Sequence, residues 1–159
     1  MHLLFSARDP GPVGFLLPIL DACELDSRFT MSVVASEPAL SMLTSKHKSV
    51  TSFPVAAQDG DIDIHNKRLQ VIAGARSVLD QINPDVIITS SSSLGVGIDE
   101  GLLAAANAPT ITVQDFWGDV NLGLLHPADT YIVIDELAAR MSRERWGVSA
   151  IPVGSCKYT

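Results

Sequence analysis

The segment from Gln114 to Gly123 sets two carboxylates, two side-chain amides, two aromatic rings and two glycines within ten residues, the richest such stretch in the chain. Aromatic faces stack on sugars or bases, and Asp and Asn oxygens hold hydroxyls. Gln114, Asp115, Trp117, Asp119 and Asn121 therefore suit a carbohydrate or nucleoside ligand. A carboxylate within hydrogen-bond reach of a hydroxyl can also act as its base, which makes Asp115 a catalytic candidate. The same residues admit a plainer role, in which Phe116 and Trp117 plug the end of a sheet and Asp115 caps a turn.

Two further loops carry the same kind of chemistry. Arg8 to Gly14 brings Asp9, Gly11 and Gly14 to a helix start, where glycine lets a ligand approach the backbone and free amides favour anions. Asp9 is a second candidate base, or else simply the helix cap. Ser90 to Ser93 offers four hydroxyls ahead of Gly95 and Gly97. Ser91, Ser92 and Ser93 could bind a sugar, a phosphate or a carboxylate, or one could cap while the others face solvent. The Gly11-x-x-Gly14 spacing lacks the dinucleotide fingerprint, and Pro10 and Pro12 remove amides that a phosphate cradle would use. No P-loop lysine follows the serines, and no nucleophile elbow surrounds them.

Other groups are weaker. His65 beside Asp61 and Asp63 reads as a solvated acidic loop rather than a metal site, so no metal is expected, and no cofactor. Cys23 and Cys156 lack a metal-type or redox-type spacing and read as free thiols. The net charge of -7 opposes the phosphate neutralisation that nucleic-acid binding requires. The apolar runs are of strand length, so no membrane span is expected, and Met1 is followed by no basic n-region, so a signal peptide is not expected and a cytoplasmic location is the default expectation.

The elements that must position these loops alternate. Apolar runs at Leu3 to Ala7, Arg28 to Ala35, Val50 to Val55, Asp85 to Ser90, Thr110 to Val113, Thr130 to Ile134 and Ala150 to Val153 read as strands. Pro54 sets the third near an edge. Helical periods fall between them. The first runs through Val13, Leu16, Leu17, Leu20 and Cys23. The second covers Glu37 to Leu43 with Ser36 as its cap. A third passes through Leu69, Ile72, Ala73, Arg76 and Leu79 to Asn83, a fourth covers Gly97 to Asn107, and a fifth covers Glu136 to Trp146. Ala56 to His65 reads as a mobile loop. The fold class is α/β: a Rossmann-like three-layer αβα sandwich whose mostly parallel sheet has about six or seven strands, over residues 1–153. In such sheets ligands sit outside the carboxyl ends of the strands, where all three loops fall.

Asp115, Trp117 and Gly118 after an apolar strand, His126 to Asp129 before the next, and Asp135, Glu136, Ala138 and Arg140 with Gly147 resemble the N-terminal Rossmann-like half of GT-B glycosyltransferases and UDP-N-acetylglucosamine 2-epimerase-like proteins. Residues 154–159 are similar to the hinge that follows that half, although Cys156 replaces the proline or asparagine usual there. The resemblance implies an acceptor-side domain of an enzyme using a nucleotide-sugar donor, with Asp115 or Asp9 as base and a sugar or small-molecule acceptor as partner. It also implies a nucleotide-binding second domain or separate chain, without which transfer is not expected, and an exposed flank through which the chain could form a homo-oligomer. The alternative is a non-catalytic α/β module that binds a small ligand or a partner.

Overall fold

The computed structural model describes residues 1–46, 49–92 and 94–158, so Ser93 of the serine run lies outside the described residues. Strands β1 (His2–Ala7), β2 (Thr30–Ala35), β3 (Thr51–Ser52), β4 (Val86–Ser90), β5 (Thr110–Val113), β6 (Thr130–Val133) and β7 (Ala150–Pro152) form one sheet in the order β3-β2-β1-β4-β5-β6-β7. Every pairing is parallel. Among the described residues five α-helices connect them: α1 (Pro10–Glu24), α2 (Ala39–Thr44), α3 (Ile64–Ile82), α4 (Ile98–Ala105) and α5 (Glu136–Trp146).

Alternation along β1 divides the core, because successive strand residues point to opposite faces. Leu3, Phe5 and Ala7 pack with Val13, Leu16 and Leu20 of α1 and with Ala39 and Leu43 of α2. Leu4 points the other way, into a cluster with Ala75 and Leu79 of α3 and Ile98 and Leu102 of α4. A third cluster gathers Tyr131, Val133 and Ala150 around Ala138 and Ala139 of α5. This is the expected α/β arrangement. The chain runs outward from β1 through β2 to β3 and then returns to place β4 on the other side of β1, so strand order reverses between β1 and β4. That reversal opens a crevice at the carboxyl ends of the two strands.

Local differences from the sequence expectation have identifiable causes. Helix α3 buries Val71, Ala75 and Leu79, whereas Leu69 is exposed. The contact with α4 sets this phase: a Cβ on Gly101 would lie 2.8 Å from Val71 Cγ1 and 3.1 Å from Ala75 Cβ. Ser36 does not cap α2, because its hydroxyl donates to the Phe53 carbonyl at 2.7 Å, and the helix starts at Ala39. The acidic loop before α3 is tied down by Ala57, which exchanges two 2.8 Å backbone hydrogen bonds with Val96. Asp61 accepts from the Gln58 amide and pairs with Lys67 at 3.0 Å, and among the described residues no trio of His, Cys, Asp or Glu could hold a metal. Among the described residues no helix is long and apolar enough to cross a membrane. Among the described residues neither Cys23 nor Cys156 is in a disulfide.

Candidate functional site

Three loops leave the carboxyl ends of β1, β4 and β5 and meet over the β1/β4 reversal. They enclose a cavity of about 520 Å³ lined by Asp9 to Pro12 from the first loop, Ser91 and Ser92 from the second, and Asp115, Phe116 and Asp119 from the third. Asp9 occupies the cap position of α1, but its side chain makes no capping hydrogen bond. Pro10 and Pro12 sit in the first turn, where a missing amide costs nothing.

Asp115 is held from two sides. Its Oδ1 accepts the Ser91 hydroxyl at 2.8 Å. Its Oδ2 lies where a Cβ on Gly11 would approach to 2.7 Å, so a glycine at that position is what lets the carboxylate sit against α1. Phe116 stands 63% exposed beside it, and its ring meets Trp117 edge-on at 6.0 Å.

Helix α5 is the platform for this third loop. Asp135 caps it by accepting from the Ala138 amide at 2.7 Å, and its other oxygen takes the Trp117 indole N–H at 2.9 Å. Trp146 donates to the Gly118 carbonyl at 2.7 Å. Gln114 is buried, and its amide donates to the Asp119 carbonyl at 2.5 Å while its oxygen accepts from the Gly118 amide at 3.3 Å. Asn121 ties the second and third loops together: its Nδ2 donates to the carbonyls of Ser92 at 3.0 Å and Gly95 at 2.9 Å. Gln114 and Asn121 thus brace the loops and do not line the cleft. Trp117 stands at the rim outside the lining. Gly14 lies apart, one helical turn on, against the Lys157 side chain of the tail.

Beneath the cleft floor lies a group that sequence reasoning passed over. Asp99, in the first turn of α4, is 1% exposed and accepts from the hydroxyls of Ser6 at 2.5 Å, Ser90 at 3.0 Å and Ser92 at 2.9 Å. It thereby joins β1, β4 and the serine loop at the crevice itself. Glu100 beside it accepts from the Gly97 amide at 2.8 Å. Arg8 crosses Gly97, donates to the Leu94 carbonyl at 2.7 Å and comes to 3.8 Å from Glu100. Its Nε and Nη2 have no hydrogen-bond partner among the described residues. Burial pushes the Asp99 carboxyl upward against the pull of the three serines and Arg8. Burial, with the neighbouring Asp99 charge, pushes Glu100 up to about 7 against the pull of Arg8. Adjacent acids at a helix start read as a solvated first turn, so only their sharing a face with buried serines could have marked them.

No protein-family model matches the chain, and no curated protein matches it by sequence. Solved structures do match it. The UDP-GlcNAc 2-epimerase of Neisseria meningitidis, bound to UDP-GlcNAc, superposes with a TM-score of 0.70 at 13% identity over 99% of this chain and 47% of its own. The UDP-GlcNAc 2-epimerase of Methanocaldococcus jannaschii gives 0.64 at 14% identity over 98% of this chain and 46% of its own. MurG of Acinetobacter baumannii gives 0.66 at 11% identity over 86% and 42%. The fold is therefore the Rossmann-like α/β fold of these proteins, and the chain spans less than half the length of each.

Proposed function

We propose that this chain is the acceptor-side domain of a GT-B-like glycosyltransferase, working with a nucleotide-sugar donor held by a second domain or a separate chain. The observation that carries the reading is Asp115, fixed by Ser91 and Gly11 at the centre of a cleft over the β1/β4 reversal, with an exposed aromatic ring beside it. An acceptor sugar laid against Phe116 presents a hydroxyl to Asp115 Oδ2. The carboxylate takes the hydroxyl proton as the acceptor oxygen bonds to the anomeric carbon of the donor, and the nucleotide departs with the electron pair of the broken bond. Asp9 also lines the cleft and is the second base. The three superposed proteins support the reading through their fold, and two of them carry UDP-GlcNAc in their names.

Amide chemical shifts of the ¹⁵N-labelled chain, titrated separately with N-acetylglucosamine and with UDP, test this. N-acetylglucosamine is expected to move the resonances of Gly11, Ser91 and Phe116, and Asp115→Asn to diminish the effect. UDP alone is expected to leave them in place. Saturable binding of UDP in this cleft, with no response to the sugar, would reject an acceptor role.

A further inference from the structure

The side chains of the cleft have a one-sided hydrogen-bonding polarity. Its polar side chains are Asp9, Ser91, Ser92, Asp115 and Asp119, and no lysine, arginine or histidine lines it among the described residues. A serine hydroxyl ordinarily gives one hydrogen and accepts with two lone pairs. Here the hydrogens are already committed: that of Ser91 goes to Asp115 Oδ1, and that of Ser92 goes down to the buried Asp99 at 2.9 Å. Neither hydroxyl has a hydrogen left to give a ligand, and Ser91 Oγ also accepts the Asp115 amide at 3.4 Å. Asp119 also lines the cleft, its carboxylate engaged by no hydrogen bond among the described residues. The remaining lining, Pro10, Gly11, Pro12 and Phe116, is apolar and adds no side-chain donor.

We infer that the cleft selects a ligand that supplies hydrogen-bond donors and carries no negative charge, namely an uncharged or amine-bearing polyol, and that it rejects the acidic analogue. This rests on the acceptor reading above and names the class of acceptor. Asp99 acts in it as a positioning residue: by holding the Ser92 hydrogen from below, it removes the donor that an anionic oxygen would need. A carboxylate or phosphate entering the cleft would meet carboxylates and oriented lone pairs at short range, and like charges in a partly desolvated site are disfavoured more than in water. A protonated amine would meet the same wall as a set of partners.

The test uses the whole chain and three matched sugars, glucosamine, glucose and glucuronate, in amide-shift titrations at one ionic strength. Glucosamine is expected to bind most tightly and glucuronate roughly tenfold more weakly, the ratio that about 1.4 kcal/mol produces. Asp119→Asn is expected to shrink the glucosamine-to-glucuronate ratio. Asp80→Asn makes the same charge change on an exposed part of α3 and is expected to leave the ratio unchanged. Glucuronate binding in the cleft as tightly as glucosamine overturns this inference while the acceptor reading stands. An equal effect from Asp80→Asn overturns it as well, since bulk attraction to the chain of net charge -7 would then explain the ranking. Failure of all three sugars to move the cleft resonances overturns the acceptor reading and this inference with it.

Discussion

Asp115 takes its place against α1 because residue 11 has no side chain. An alanine there would put its Cβ 2.7 Å from Asp115 Oδ2, and the carboxylate, as the end of a side chain, can yield by rotating away. Position 11 lies exposed in the first turn of α1, and alanine is favoured over glycine by up to about 1 kcal/mol in a helix interior and by less near its start. Gly11→Ala is therefore expected to leave the melting temperature unchanged or slightly raised while abolishing the response of Ser91 and Phe116 amides to N-acetylglucosamine. An unaltered response would show that the position of Asp115 is immaterial to binding. At this scale the sequence told part of the story. Asp9, Gly11, Asp115 and Asp119 stand out by type and fall where the cleft is. Gln114 and Asn121 look equally suited to a ligand, yet their amides brace the loops, and only the neighbouring carbonyls of Asp119, Ser92 and Gly95 reveal it.

Among the elements, α4 does the least expected work. Its first turn carries Asp99 and Glu100 into the interior, and both carboxyls lie above their ordinary range. A carboxyl whose folded value is raised contributes stability that is fully present below its unfolded value and lost as the pH rises through its folded value. For Glu100 the window runs from the ordinary 4.5 to about 7. At about 1.4 kcal/mol per unit the loss across it is on the order of 3 kcal/mol. Asp26, Asp61 and Asp135 are shifted the other way, so their contribution is lost on acidification below that window. The melting temperature is thus expected to fall between pH 5 and pH 8, and Glu100→Gln, which keeps an acceptor for the Gly97 amide, to flatten that slope. A rising profile, or the same slope in the variant, would contradict the assignment. Hydrophobic period alone does not reveal such an element, and it misplaces the face of α3 as well: Leu69 and Ile72 compete with Val71, Ala75 and Leu79 for the apolar stripe, and the approach of Gly101 decides the matter.

Across the whole molecule, the alternation of strand and helix was legible because parallel strands buried on both faces read as apolar runs, and right-handed crossovers then leave few topologies. That topology brings three loops distant in sequence to one rim, so the cleft follows from strand order. The carboxyl-end rim also keeps apolar surface outward, with Leu94 at 72% and Trp117 at 44% exposure flanking the cleft. We propose this cleft, with Asp115 among its lining residues, as the place where a sugar binds. It is tested most directly by a crystal structure of the chain soaked with N-acetylglucosamine. Density for the sugar is expected within hydrogen-bond distance of Asp115 and against Phe116. Sugar density confined to the groove of about 480 Å³ between α1 and the tail, lined by Cys23 and Cys156 among others, with the cleft empty, would contradict it.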